Sequence, residues 1–203
     1  MIAWQCLVLA ALPDAAAAPT DDAALVARAQ GGDRAAFAAL YRRHVDRVYG
    51  QVSRLVGPVA ERDDLVQEAF LRLHRALPRF RGDAALATLL YRITASVAID
   101  HLRARRRRPT APLELAALAT RVSPELSGEQ RLRQARAVAE VYAALDRIKP
   151  AKRVALLLHV VEGLGFAEIG AIVGASEETA KKRAQAAQRE IRAALGQRGE
   201  RAP

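Results

Sequence analysis

Cysteine, methionine and tryptophan occur once each in these 203 residues, and aromatic side chains make up only 4% of them. The single cysteine, Cys6, excludes an internal disulfide framework and any zinc site built on cysteines. The four histidines, His44, His74, His101 and His159, are too far apart for a ligand spacing, and each reads as a surface or boundary residue. No Ser-His-Asp order, P-loop or glycine-rich nucleotide fingerprint occurs. Gly31-Gly32 stands before Asp33, a good helix cap, and reads as a turn. No catalytic group, metal, cofactor or small-molecule substrate is therefore expected. Long apolar runs are also missing. The stretch from Ile2 to Leu12 falls well short of the ~20 residues that span a bilayer. No Lys or Arg precedes Arg28, so the positive start of a secretory signal is lacking. With Met1 the only methionine, residues 1–20 are expected to be a disordered or mis-assigned extension, initiation then lying at a codon such as that of Val8. A cytoplasmic location is expected.

Positive charge is what the chain has in excess. The formal net charge is +10 and the pI about 10.7, which points to a polyanionic partner over the plainer reading of charge for solubility. Residues 21–108 carry 17 basic and 10 acidic side chains, and residues 131–203 carry 14 and 8. The strip 109–130 between them is slightly acidic, with Pro109 and Pro112 and no sustained periodicity. Two polyanion-binding domains on a flexible linker are expected. An Ala- and Arg-rich composition without strand-like alternation predicts an all-α fold.

In the first block, Asp21-Asp22 is placed to cap a helix over Ala23–Gln30, and Asp33 the next. Phe37, Leu40, Tyr41, His44, Val48, Val52 and Leu55 hold a helical stripe until Gly57-Pro58. A third helix begins at Glu61 with Asp63 and Asp64 in its first turn, where carboxylates suit the positive end of the dipole. Val66, Phe70, Leu73 and Leu77 face its core, which leaves Asp64, Gln67, Glu68 and Leu71 outside, an acidic face read as a docking surface for a protein although its charges alone would equally suit a solvated one. A fourth helix, about Ala84 to Arg106, turns Leu86, Leu90, Ile93 and Val97 inward. Arg92, Ser96, Ile99, Arg103 and Arg106 follow the opposite face. Five arginines within Arg103–Arg108 exceed what helix capping needs and point to phosphate contact.

In the second block, Leu132, Ala135, Val138, Ala139, Tyr142 and Leu145 form one stripe. Pro150 opens another, Val154, Leu157, Leu158 and Val161, which Gly163 and Gly165 close. A short helix from Phe166, a turn at Gly174 and Ser176 as the cap of a long helix then make a helix-turn-helix. Ala180, Ala184, Ala187, Ile191 and Leu195 face inward, while Glu178, Lys182, Gln185, Arg189 and Arg192 face outward, able to reach a major groove.

From about Ala24 to Leu195 the chain resembles the short, extracytoplasmic-function group of bacterial sigma-70 factors. The matching motifs run from Ala36-Phe37 and Leu40-Tyr41 through Asp63-Asp64-Leu65-Val66-Gln67-Glu68, Phe80-Arg81-Gly82, Leu90-Tyr91-Arg92-Ile93 and Asp100-His101-Leu102-Arg103. They continue in Glu162-Gly163-Leu164, Glu168-Ile169-Gly170 and Ser176-Glu177-Glu178-Thr179. The resemblance implies a non-enzymatic subunit that binds core RNA polymerase and directs it to promoters, with an anti-sigma factor as a further partner. It implies core binding through Asp63, Asp64, Gln67, Glu68 and Leu71. It implies −10 promoter recognition and melting by Arg92, Ser96, Ile99, Arg103, Arg105 and Arg106. It implies −35 recognition by Ser176, Glu178, Thr179, Lys181, Lys182, Gln185 and Arg189. Leu89 stands where the family often has Trp, and Ser96 where it often has Asn. Two alternatives stay open on the residues alone: a helix-turn-helix regulator acting without polymerase, and a sigma-like protein that docks without initiating.

Overall fold

Asp33 accepts hydrogen bonds on Oδ1 from the backbone N–H groups of Ala35 and Ala36, at 2.8 and 3.1 Å, and so starts the longest helix of the first half. A computed structural model describes residues 22–82, 85–107 and 127–199. The expected extension 1–20, the linker 109–130, Asp21, Ala84 and Arg108 lie wholly or mostly outside those residues. Among the described residues there is no strand. Helix α1 is Ala23–Gln30, α2 Arg34–Val56, α3 Arg62–Ala76 and α4 Leu86–Arg107, with a 3-10 turn at Leu77–Arg79. The second half holds α5 (Gly128–Leu145), α6 (Pro150–Val160), α7 (Phe166–Val173) and α8 (Glu177–Gly199).

Glycine ends the first two helices: Gly32 at φ +88° and Gly57 at φ +83° occupy backbone that side-chain-bearing residues rarely adopt. The Gln30 amide donates to the carbonyls of Leu77 and Phe80, at 3.0 and 2.7 Å, and ties α1 to the chain leaving α3. Leu40, Val52, Leu55, Leu73, Leu90 and Val97 close the core of this half. Burying each such side chain contributes about 1.5–3 kcal/mol relative to leaving it in water.

In the second half α5 begins with a capping box that the sequence reading did not single out. The Gln130 N–H donates to Ser127 Oγ, and the Ser127 N–H to Gln130 Oε1. Pro150 stands in the first turn of α6, as expected. Ala180, Ala184 and Ala187 are buried, so small side chains let α8 lie close against α6 and α7.

Three readings need correction. Asp22 does stand before α1, but its carboxylate makes no cap there. It accepts instead from Arg43 and meets His44 Nε2, each at 2.9 Å. His44 is therefore a buried, paired residue and not a boundary one. Leu132, expected in the α5 core stripe, is exposed. The first buried residue of α5 is Ala135, so its opening turns extend past the helices it packs on.

The two halves are packed against each other. Helices α2 and α4 touch α6, and α4 touches α7. The carbonyls left open at the C-terminus of α2 find donors in the second half. Tyr142 donates its hydroxyl to the Arg54 carbonyl at 3.1 Å, and Arg153 Nε donates to the Leu55 carbonyl at 2.9 Å. Arg153 is 1% exposed, pairs with Asp146 at 2.5 Å and lies 5.5 Å from the Tyr142 ring centre. Burial holds its guanidinium below the usual arginine range, with Asp146 opposing that shift.

Candidate docking and nucleic-acid surfaces

Helix α3 buries Val66, Ala69, Phe70 and Leu73, and the 3.6-residue period therefore turns Asp63, Asp64, Gln67 and Leu71 to solvent. Leu71 is 52% exposed and is one of three large apolar side chains so placed among the described residues. An exposed leucine at the end of an acidic strip is chemistry suited to a protein partner, because a solvated acidic face gains nothing from it. Tyr41 meets Phe70 in a tilted ring contact, 4.6 Å from ring centre to ring centre, and adds a partly exposed aromatic beside the strip.

Glu68 departs from the strip. It is half-buried and accepts from Arg72 Nε at 2.7 Å, while Arg72 also donates to Asp100 at 3.0 Å and to Ser96 Oγ at 3.3 Å. Arg72 thus joins the acidic face of α3 to the polar face of α4, and its hydrogen bond to Glu68 raises its pKa further. The sequence reading passed over Arg72; its spacing of four from Glu68 was the available signal.

On α4, Arg92, Ser96, Arg103 and Arg106 are exposed and Ile99 is half-buried along one face, as the periodicity predicts. Arg105 falls off this face. It is half-buried and pairs with Asp146 of α5's C-terminal boundary at 3.3 Å, so it joins the two halves in this arrangement. Ile93, expected in the core, is only half-buried, and Thr94 and Ala98 complete the core stripe instead. Arg92, Ser96 and Ile99 form one wall of an open cleft of about 500 Å³, whose other wall is Ile172, Val173 and Gly174. A second hollow of about 420 Å³ gathers Arg79, Phe80 and Arg81 against Leu89 and Arg92. Three arginines around one aromatic ring suit an anionic, planar ligand such as an unstacked nucleotide. Phe80-Arg81-Gly82 marked this loop in the sequence, and Gly82, at φ +80°, makes its turn.

The helix-turn-helix is built as its turn chemistry requires. Gly174 takes the left-handed conformation at φ 64°, ψ 46°. At the start of α7, Glu168 accepts from the Gly165 N–H at 2.9 Å. Gly170 lets α7 approach the turn: a Cβ there would stand 2.7 Å from the Ala175 carbonyl oxygen. Ser176 Oγ accepts from the Thr179 N–H at 3.2 Å and donates to Thr179 Oγ1 at 2.8 Å, capping α8. Lys181, Lys182, Gln185 and Arg189 are exposed, Thr179 is half-buried, and Glu178 pairs with Lys182 at 2.7 Å on the surface. Such a pair contributes little and opens readily when phosphates compete.

The acidic strip of α3 and the candidate DNA face of α4 meet at Arg72, and the outward face of α8 lies on a different helix. Among the described residues no cluster of three His, Cys, Asp or Glu could hold a metal, and no helix is long and apolar enough to cross a membrane.

Comparison with known proteins gives concordant results. The family description Sigma-70 region 2 matches residues 40–108, and Sigma-70, region 4 matches residues 139–191. The chain is 34% identical over 176 residues to the ECF RNA polymerase sigma factor SigM of Mycobacterium tuberculosis, covering 86% of this chain and 85% of that protein. It is 35% identical over 168 residues to the ECF RNA polymerase sigma-E factor of Escherichia coli, covering 80% and 87%. It resembles the solved structure of CnrH in complex with the cytosolic domain of CnrY, with a TM-score of 0.59 and 23% identity over 86% of this chain and 97% of that one. The structure of the sigma factor RpoE with the anti-sigma factor NepR from Bartonella quintana gives a TM-score of 0.56 at 16% identity, over 79% and 96%.

Proposed function

The chain belongs to the extracytoplasmic-function group of the sigma-70 family, and from that premise we propose how its surfaces divide the work of a transcription initiation factor. It binds core RNA polymerase and directs it to specific promoters. Residues 21–108 form the unit that grips the polymerase and opens the −10 element, residues 109–130 the connector, and residues 131–203 the unit that reads the −35 element. The observation that carries this division is the acidic strip with its exposed Leu71, standing beside one basic helix face and apart from the other.

Docking on polymerase uses Asp63, Asp64, Gln67 and Leu71. Glu68 contributes through Arg72, which keeps it aimed along the face shared with Asp100. At the −10 element, Arg92, Arg103 and Arg106 hold phosphates, and Ser96 and Ile99 meet bases drawn out of the stack. Unstacking a base costs a few kcal/mol, which contacts made only to the separated strand offset. Arg79, Phe80 and Arg81 extend that surface. At the −35 element, α8 enters the major groove from its N-terminus, with Ser176, Thr179 and Lys181 on phosphates and Lys182, Gln185 and Arg189 over base edges. Glu178 releases Lys182 on binding.

The protein does this without chemistry of its own and works in the cytoplasm. Two similar solved structures are complexes, CnrH with the cytosolic domain of CnrY and RpoE with the anti-sigma factor NepR, and that likeness supports an anti-sigma partner here. Selection of promoter fragments by holoenzyme reconstituted from this chain, followed by run-off transcription, tests the reading. A discrete start site that depends on the chain is the expected result. Binding without any transcript would leave a protein that docks and does not initiate.

A further inference from the structure

We propose that Arg72, a side chain of the docking helix α3, is a positioning residue for the nucleic-acid face of α4: it neutralises Asp100 and holds Ser96, so that a DNA strand meets a basic surface without a bare carboxylate in it. The proposal rests on the reading of α4 as the −10 surface and deepens it by adding a residue from a second helix.

Asp100 is the only acidic residue between Leu86 and Arg107. Arg92, Ser96, Asp100 and Arg103 recur four, four and three residues apart, so the helical period puts that carboxylate on the face of the arginines. It is exposed there. Left bare, it would stand among the phosphates those arginines are to hold, and like charges brought together oppose binding. Arg103, at 3.9 Å, is too far away to hydrogen-bond to it. Arg72 is near enough: its Nη1 donates to Asp100 Oδ2 at 3.0 Å and to Ser96 Oγ at 3.3 Å. Glu68 accepts from Nε at 2.7 Å and so fixes the same guanidinium from the α3 side. A planar fork can serve three acceptors on two helices at once, which the compact ammonium of a lysine does less well. Arg72 and Asp100 also line the open cleft together with Arg92, Ser96 and Ile99, so the pair lies on the surface that a strand along α4 would follow.

A plain staple between the helices is the competing account. Helices α3 and α4 already share a core through Phe70, Leu73, Leu90 and Val97, and ion pairs as exposed as these add little to it. The two accounts differ in one measurable respect. A staple alters stability and leaves strand binding indifferent to Asp100. Neutralisation makes the effect of Asp100 on strand binding depend on whether Arg72 is present.

The full-length chain serves for the test, without polymerase and at low salt, with a labelled mixed-sequence DNA single strand as the probe. Arg72→Ala should weaken binding about fivefold. Asp100→Asn should change it less than about twofold in the otherwise unaltered chain, yet restore most of the loss when added to Arg72→Ala. If Arg72→Ala loses its helical circular dichroism, Arg72→Gln, which keeps part of the stem and removes the charge, carries the same comparison. An unchanged affinity in Arg72→Ala would overturn the proposal. So would an effect of Asp100→Asn that is the same with and without Arg72, since Arg72 would then act on the strand by itself. Arg92→Ala/Arg103→Ala tests the underlying reading on the same probe. Weaker binding in that variant beside an unchanged Arg72→Ala would remove only the role of Arg72. Unchanged binding in that variant would remove α4 as the strand surface, and the proposal with it.

Discussion

Gly170 shows how much one atom decides at the residue scale. An added Cβ would meet the backbone at the Ala175 carbonyl, which unlike a flexible side chain cannot swing aside. Gly170→Ala should therefore destabilise the protein by about 1–3 kcal/mol, the usual cost of overpacking. A lowered thermal midpoint with weakened duplex binding is the expected outcome, and an unchanged midpoint would contradict the close approach. His101 gives a second residue-scale prediction. It faces Glu61 and Asp146, Arg105 and Arg153, and burial, the largest influence, holds its imidazole below the ordinary value near 6.5. The folded chain thus resists a proton that the unfolded chain accepts. Its share of stability is complete above about pH 6.5 and is lost as the pH falls from there through the folded value. His101→Gln should flatten the fall in thermal midpoint between about pH 7 and 5.5, and an equal slope in both proteins would contradict it. Neither residue announced its role in the sequence. Gly170 was visible only as part of a motif, and His44 was misread because its partner, Asp22, lies on the approach to a different helix. Side-chain pairing across elements leaves no periodic trace.

At the scale of elements the sequence was far more informative. Amphipathic periodicity and glycine or aspartate punctuation are local, and they fixed α1 to α4 to within about two residues. The outward faces of α3 and α8 followed from the same period, so Asp64, Gln67 and Leu71, and Lys182, Gln185 and Arg189, were legible as solvent-facing, while Asp63 and Lys181, also exposed, entered the site sets only through the resemblance. Where neighbouring elements intervene, the period misleads. Leu132 lies ahead of the part of α5 that has anything to pack on, whereas Arg105, which the period left off the α4 stripe and only the resemblance added, pairs with Asp146. Of the network from Glu68 through Arg72 to Asp100 and Ser96, only the spacing of four between Glu68 and Arg72 was readable, since the remainder joins two helices whose relative rotation no spacing encodes.

Taken as a whole molecule, the chain was expected as two basic modules on a strap, and it holds them against each other. Arg54 and Glu162 are 108 residues apart, and nothing short of the assembled fold brings them together. Within that arrangement α4 and α7 share an open cleft, while the outward set of α8 lies on a separate exposed face. The proposed polymerase surface stands open in this arrangement, because Asp63, Asp64, Gln67 and Leu71 are exposed there.

The most direct measurement is the affinity of the purified full-length chain for core RNA polymerase at roughly physiological salt, compared with Asp64→Lys/Glu68→Lys. The wild-type chain should bind, and the double charge reversal should weaken binding by about tenfold or more, the ~1.4 kcal/mol or above that truncated or reversed interface contacts cost. Equal affinity in the two proteins would remove α3 as the docking helix. A wild-type chain that ignored core polymerase while still binding duplex DNA would contradict the account itself.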